Sequence, residues 1–141
     1  MTVLEGHIDD LGRPVLTIET AEPEPESFLC VLDTGFNRTL LIPRPLAFGL
    51  GFKPYTPQIV GPLSLADHKD HAAEIMSGRI NWLGQALQVD AYTTSWSRRA
   101  GSNVPDVLLG TELLRGLHVF LDFELGRVTI RRPGTDSPRP A

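Results

Sequence analysis

The stretch Phe28-Leu29-Cys30-Val31-Leu32-Asp33-Thr34-Gly35-Phe36-Asn37 sets the fold. Apolar residues run straight into an acid, a hydroxyl residue and a glycine, and the apolar triplet Leu40-Leu41-Ile42 follows within a few positions. That order describes a buried strand, an abrupt polar turn and a second strand, with a carboxyl group at the junction. As a turn, Asp-Thr-Gly has the Asp accepting local backbone hydrogen bonds and the Gly taking a positive φ. As a site, it presents an acid at a strand end.

Far downstream, Val107-Leu108-Leu109-Gly110 leads from a second apolar strand directly into Thr111-Glu112-Leu113-Leu114. This is the better of the helix candidates, over 111–117. Thr111 can cap the first turn, Glu112 lies near the positive end of the helix dipole, and Gly116 sits where a helix stops. Such a short helix depends on packing through Leu113 and Leu114.

Between and around these blocks the chain reads as short strands rich in β-branched and aromatic residues, punctuated by Gly, Pro, Asp and Asn. Strands are predicted over 3–8, 14–20, 28–33, 39–42, 58–66, 72–83, 85–94, 107–109, 118–124 and 127–132. The Gly-containing segments 9–13 and 124–127 join neighbouring strands as hairpins. Residues 45–51 form a short turn or helix, opened by Pro45 and closed by Gly51. Ala21-Glu22-Pro23-Glu24-Pro25-Glu26 is acidic and Pro-rich, so it is an exposed connection. Residues 1–132 make one domain, and 133–141 have the composition of a disordered tail.

With 141 residues, the chain is long enough to bury a core without disulfides or metals. Charged residues make up 21% and hydrophobic ones 41%, a balance that suits a globular domain and not a disordered one. The formal charge is -4, and the basic residues gather only in the pairs Arg98-Arg99 and Arg131-Arg132, which argues against nucleic acid as a partner. The single Cys30 cannot form an intrachain disulfide, and the first residues lack a basic start followed by an apolar run. A cytoplasmic protein is expected. No segment approaches the ~20 apolar residues needed to cross a bilayer, so no membrane association is expected.

The two blocks together, in this order, resemble the retropepsin-like aspartic proteases, in which an apolar strand ends in Asp-Thr-Gly and a later apolar pair plus Gly crosses beneath it before a short helix. The resemblance covers 28–132. Asp33-Thr34-Gly35-Phe36-Asn37, with Leu65-Ala66-Asp67 in mid-chain, is similar to bacterial and archaeal members of that clan. It implies an all-β fold: a closed or nearly closed antiparallel barrel with one short C-terminal helix.

The same resemblance implies a role for each matching residue. Asp33 becomes the catalytic carboxylate and Thr34 bonds across a dimer axis to the partner loop. Gly35 lets substrate and partner loop approach, and Gly110 lets the second strand pack under the first. Segment 63–73, with Ala66, Asp67 and His68, forms or adjoins a flap that closes over bound peptide. One departure stands out: Phe36 cannot donate the hydroxyl bond that supports the carboxylate in some relatives, and it sets a bulky ring beside the site.

Because the chain carries one copy of each block, the second carboxylate has to come from another subunit. The implied enzyme is a homodimeric endopeptidase acting on extended peptide or protein, without cofactor or metal. Its paired Asp33 carboxyls share one proton and activate a water. Two other readings belong beside it. One is a non-catalytic dimerisation or peptide-binding module on the same fold. The other is a metal-dependent hydrolase using Asp67, His68, Asp70 and His71. Trp82 and Trp96 read as core or dimer-contact aromatics, and Cys30 as a small buried hydrophobe.

Overall fold

In the computed structural model, residues 3–64, 70–95 and 107–134 are described. They form strands β1 (Val3–Ile8), β2 (Pro14–Thr20), β3 (Ser27–Leu32), β4 (Leu40–Pro43), β5 (Lys53–Pro54), β6 (Val60–Ser64), β7 (Asp70–Trp82), β8 (Gln85–Thr94), β9 (Val107–Leu109), β10 (His118–Asp122) and β11 (Arg127–Arg131). The one α-helix among the described residues, α1 (Arg44–Gly49), lies between β4 and β5.

Six strands close on themselves in the order β2, β3, β9, β4, β8, β7 and back to β2, making a barrel. Closure is short. It consists of Glu19 opposite Asn81 and Thr20 opposite Ile80, reinforced by the bond from the Ala21 amide to the Arg79 carbonyl at 3.0 Å. Alternation along each strand turns one set of side chains inward. Leu16 and Ile18 face Cys30 and Phe28 in register, and Leu40, Ile42, Met76, Ile80, Val107 and Leu109 complete the interior at or near zero exposure. Phe52 lies over Gly78, where an added Cβ would stand 2.6 Å from its ring. That contact explains a glycine in the middle of a long strand.

The expected all-β barrel is present, with two corrections. It is not purely antiparallel: β3 runs parallel to β9 and β4 parallel to β8. Parallel pairs need long crossovers, and here each partner is contributed by a distant part of the chain. Nor does the chain end in an α-helix. Residues Thr111–Leu114 form a single 3-10 turn, and the α-helix is mid-chain. The Thr111 hydroxyl does not cap that turn but points to the Phe36 carbonyl at 3.4 Å, and Arg115 returns to extended backbone before Gly116 turns at φ +78. With neither a side-chain cap nor length, the segment keeps one turn, held by buried Leu113 and partly buried Leu114.

Outside the barrel, β10, β11 and β1 form a small antiparallel sheet continuing from β2, and β6 pairs with β7 as a hairpin. The acidic loop 21–26 is exposed as expected, closed by the Thr20 amide on the Glu26 carbonyl and the Glu26 amide on the Thr20 hydroxyl. Trp82 and Cys30 are buried in the main core. Trp96 and tail residues 135–141 lie outside the described residues. No described helix is long and apolar enough to cross a membrane.

Candidate active site

β9 enters the sheet between β3 and β4, the two strands that flank the Asp33 loop. The loop is therefore gripped from both sides by the second sequence block. At its start the Asp33 amide donates to the Leu109 carbonyl at 2.9 Å, and at its end the Gly110 amide donates to the Thr39 carbonyl at 2.8 Å. Between them the Thr111 amide reaches the Phe36 carbonyl at 2.9 Å and the Glu112 amide the Arg38 carbonyl at 3.4 Å. These last three donors come from consecutive residues, so one short segment fixes the whole turn.

Gly110 makes this approach feasible. A Cβ on it would stand 2.0 Å from the Arg38 carbonyl oxygen and 2.7 Å from the Phe36 ring, closer than any side-chain carbon can sit. The expected packing role of Gly110 thus has a direct geometric basis.

Within the turn, the Gly35 amide donates to Asp33 Oδ1 at 2.9 Å and the Phe36 amide to the Asp33 carbonyl at 3.1 Å. Nothing else among the described residues bonds the Asp33 carboxylate, which is half-buried at the mouth of the loop. Thr34 and Gly35 are exposed beside it. Gly35 does not take the positive φ expected of a turn glycine. A Cβ there would lie 3.2 Å from Asp33 Oδ1, a tight contact that a shift of the carboxylate by a few tenths of an ångström relieves.

Phe36 turns away from solvent. Only 4% exposed, it forms a second small core with Leu41, Leu63 and Ala73, joined at the edge by Tyr92 and Leu108. The ring thus ties the Asp33 loop to the β6–β7 hairpin. A cleft of about 290 Å³ opens between them, lined by Gly35, Phe36, Asn37, Arg38, Pro62 and Leu63. The Arg38 guanidinium lies over the Tyr92 ring, 5.2 Å from its centre.

The segment read as a flap is framed by the strands β6 and β7, in register from Val60 opposite Glu74 to Ser64 opposite Asp70. Its predicted tip residues Ala66, Asp67 and His68 lie outside the described residues, as do the side chains of Asp70 and His71 that the metal-site alternative requires. Among the described residues no cluster of potential metal ligands occurs.

Asp33, Thr34, Gly35 and Gly110 are brought together. Arg38 and Tyr92 were not foreseen from the sequence. Arg38 follows the motif closely enough to be suspected, whereas Tyr92 reaches the site only through the pairing of Leu41 with Tyr92 in β4 and β8. No protein-family model matches the chain, and no curated protein matches it.

Proposed function

We propose that this chain is one subunit of a homodimeric, retropepsin-like aspartic endopeptidase. The observation that carries the proposal is the Asp33 loop itself: an acid at the end of an apolar strand, its backbone held by Leu109 to Glu112, opening beside a cleft under a hairpin. Exposed Thr34 and Gly35 form the surface on which a second copy of the loop packs, bringing the two Asp33 carboxyls face to face.

Two carboxylates so close share one proton, as in aspartic proteases generally. The ionised Asp33 takes a proton from a water held between the pair, and that water attacks the scissile carbonyl carbon. Its partner gives its proton to the carbonyl oxygen, forming a neutral tetrahedral diol. On collapse the Asp33 that took the water proton gives it to the departing nitrogen. The other Asp33 accepts a proton from a diol hydroxyl as the C=O re-forms and the C–N bond breaks, and the pair again holds one proton. The substrate lies extended along β6, which pairs only with β7 among the described residues and so offers a free edge for backbone bonds.

The test is hydrolysis of a mixed peptide library by the purified protein beside Asp33→Asn. The variant is expected to lose at least ~1,000-fold in rate, since the chemistry needs an ionisable group on each side. A chelator should leave the wild-type rate unchanged. Equal rates in the two proteins exclude Asp33 as the catalytic acid. Inhibition by chelation with recovery on added zinc points to the Asp67 to His71 segment, and saturable peptide binding without cleavage points to a binding module.

A further inference from the structure

Among the described residues, Arg38 is the only charged side chain on the wall of the cleft beside the Asp33 loop. The other walls are glycine, the buried Phe36 and Leu63, Pro62, and the amide of Asn37. Arg38 itself is exposed at the rim of this wall, so its guanidinium is open to a ligand. Here the ion pairs of the described residues are Arg13 with Asp9 and Arg44 with Glu74, and Arg38 has neither. Glu112, whose amide holds the Arg38 carbonyl, does not pair with the guanidinium.

The guanidinium is nevertheless held in place. It rests on Tyr92, which is anchored at the edge of the small core beneath the cleft, while the Arg38 backbone is fixed by the Glu112 amide. A cation stacked on an aromatic ring keeps its N–H edges free to donate. A carboxylate brought there would make a charge-assisted bond, screened by solvent on the open side. At about 290 Å³ the space accommodates a single side chain of moderate size.

From this we infer that the cleft is a specificity pocket for an acidic side chain, Asp or Glu, of the bound peptide, with Arg38 as the residue that selects it and the Asn37 amide as an auxiliary donor. The inference rests on the endopeptidase reading for the cleavage of the captured peptide, but the recognition itself needs only the cleft.

The experiment uses three matched libraries of random octapeptides, one containing glutamate and the others glutamine or lysine in its place. Binding is measured on the full-length Asp33→Asn protein, so that recognition is read whether or not peptides are cut. The glutamate library is expected to bind about five- to tenfold more tightly, an advantage that shrinks as salt is raised. Arg38→Gln should abolish that difference. Arg38→Glu should bind a lysine library in preference to the glutamate one, a gain that a misfolded variant cannot show. Equal binding of the glutamate and glutamine libraries to the Asp33→Asn protein, or no binding of either, overturns the pocket assignment. A preference that survives in Arg38→Gln overturns the role of Arg38. If the preference holds while wild-type protein cuts neither library, the pocket stands and the protease reading falls.

Discussion

Gly110 and Cys30 illustrate how differently two small residues of one barrel can be constrained. At Gly110 the limit is contact: a methyl group would collide with the Arg38 carbonyl, which belongs to the backbone and cannot swing aside. Gly110→Ala should therefore cost about 3 kcal/mol in urea unfolding and disturb the Asp33 loop before the rest of the barrel. An unchanged unfolding midpoint would show that β9 can withdraw from the loop without loss. At Cys30 the constraint is dielectric. Its side chain is fully buried among Leu16 and other core residues, and loss of solvation pushes the thiol up to about 12. Near pH 8 the native protein should react with a thiol reagent about a thousandfold more slowly than a free cysteine, gaining full reactivity on unfolding. Rapid labelling of the folded protein would mean that the barrel opens at that point.

Hairpins and turns are the elements whose chemistry can be read most directly. Asp9 closes the β1–β2 connection by accepting from the Arg13 amide at 2.9 Å and the Leu11 amide at 3.0 Å, while its second oxygen meets the Arg13 guanidinium at 2.8 Å. The Arg13 backbone bond foremost, aided by the Arg13 side chain and the Leu11 amide, holds its carboxyl below the ordinary carboxylate range. A carboxyl lowered on folding contributes its full stabilisation above its unfolded pKa, about 3.9, and loses it as pH falls through the lower folded value. The stability gap between wild type and Asp9→Asn should thus be constant from neutral pH down to about 5 and narrow below about 4. A gap that stays constant to about pH 2.5 would show that the charge of Asp9 contributes nothing to the turn.

The same elements mark where the sequence was legible. Strands with alternating or continuous apolar residues, bounded by Gly and Asp, fall within two residues of their positions in β1, β2, β3, β4, β7, β8, β9, β10 and β11. At the β7–β8 turn, where the sequence also places the break, the chain reverses through Leu83 and Gly84, both at positive φ. A leucine there is disfavoured by its own backbone, and only burial of its side chain makes it tolerable. β5 escaped notice because two residues, one of them proline, carry no periodicity. The loop chemistry of Asp33 and Gly110 was readable from the motifs, but the cleft was not, since Tyr92 and Leu63 approach Phe36 from strands far apart in sequence.

For the molecule as a whole, the consequential question is association. In the proposed dimer, two Asp33 carboxylates meeting across an axis would oppose association whenever both are ionised, by several kcal/mol at ~4 Å and an effective dielectric of ~20. Sharing a proton relieves only part of that, so Asp33→Asn should dimerise roughly tenfold more tightly near neutral pH, as measured by sedimentation. Identical dissociation curves for the two proteins would mean that the loops do not meet. The placement of β9 has another outcome, one of timing. Three residues near the end of the barrel sequence must thread between β3 and β4 before the loop joining those strands can acquire its shape. Contacts of such long separation form slowly and late, because the entropy of closing the intervening chain is lost before they are made. A ribosome-bound chain that has not yet emerged past Gly110 carries its aspartate on an unformed turn. The Asp33 loop thus takes its shape only once β9 has joined the sheet.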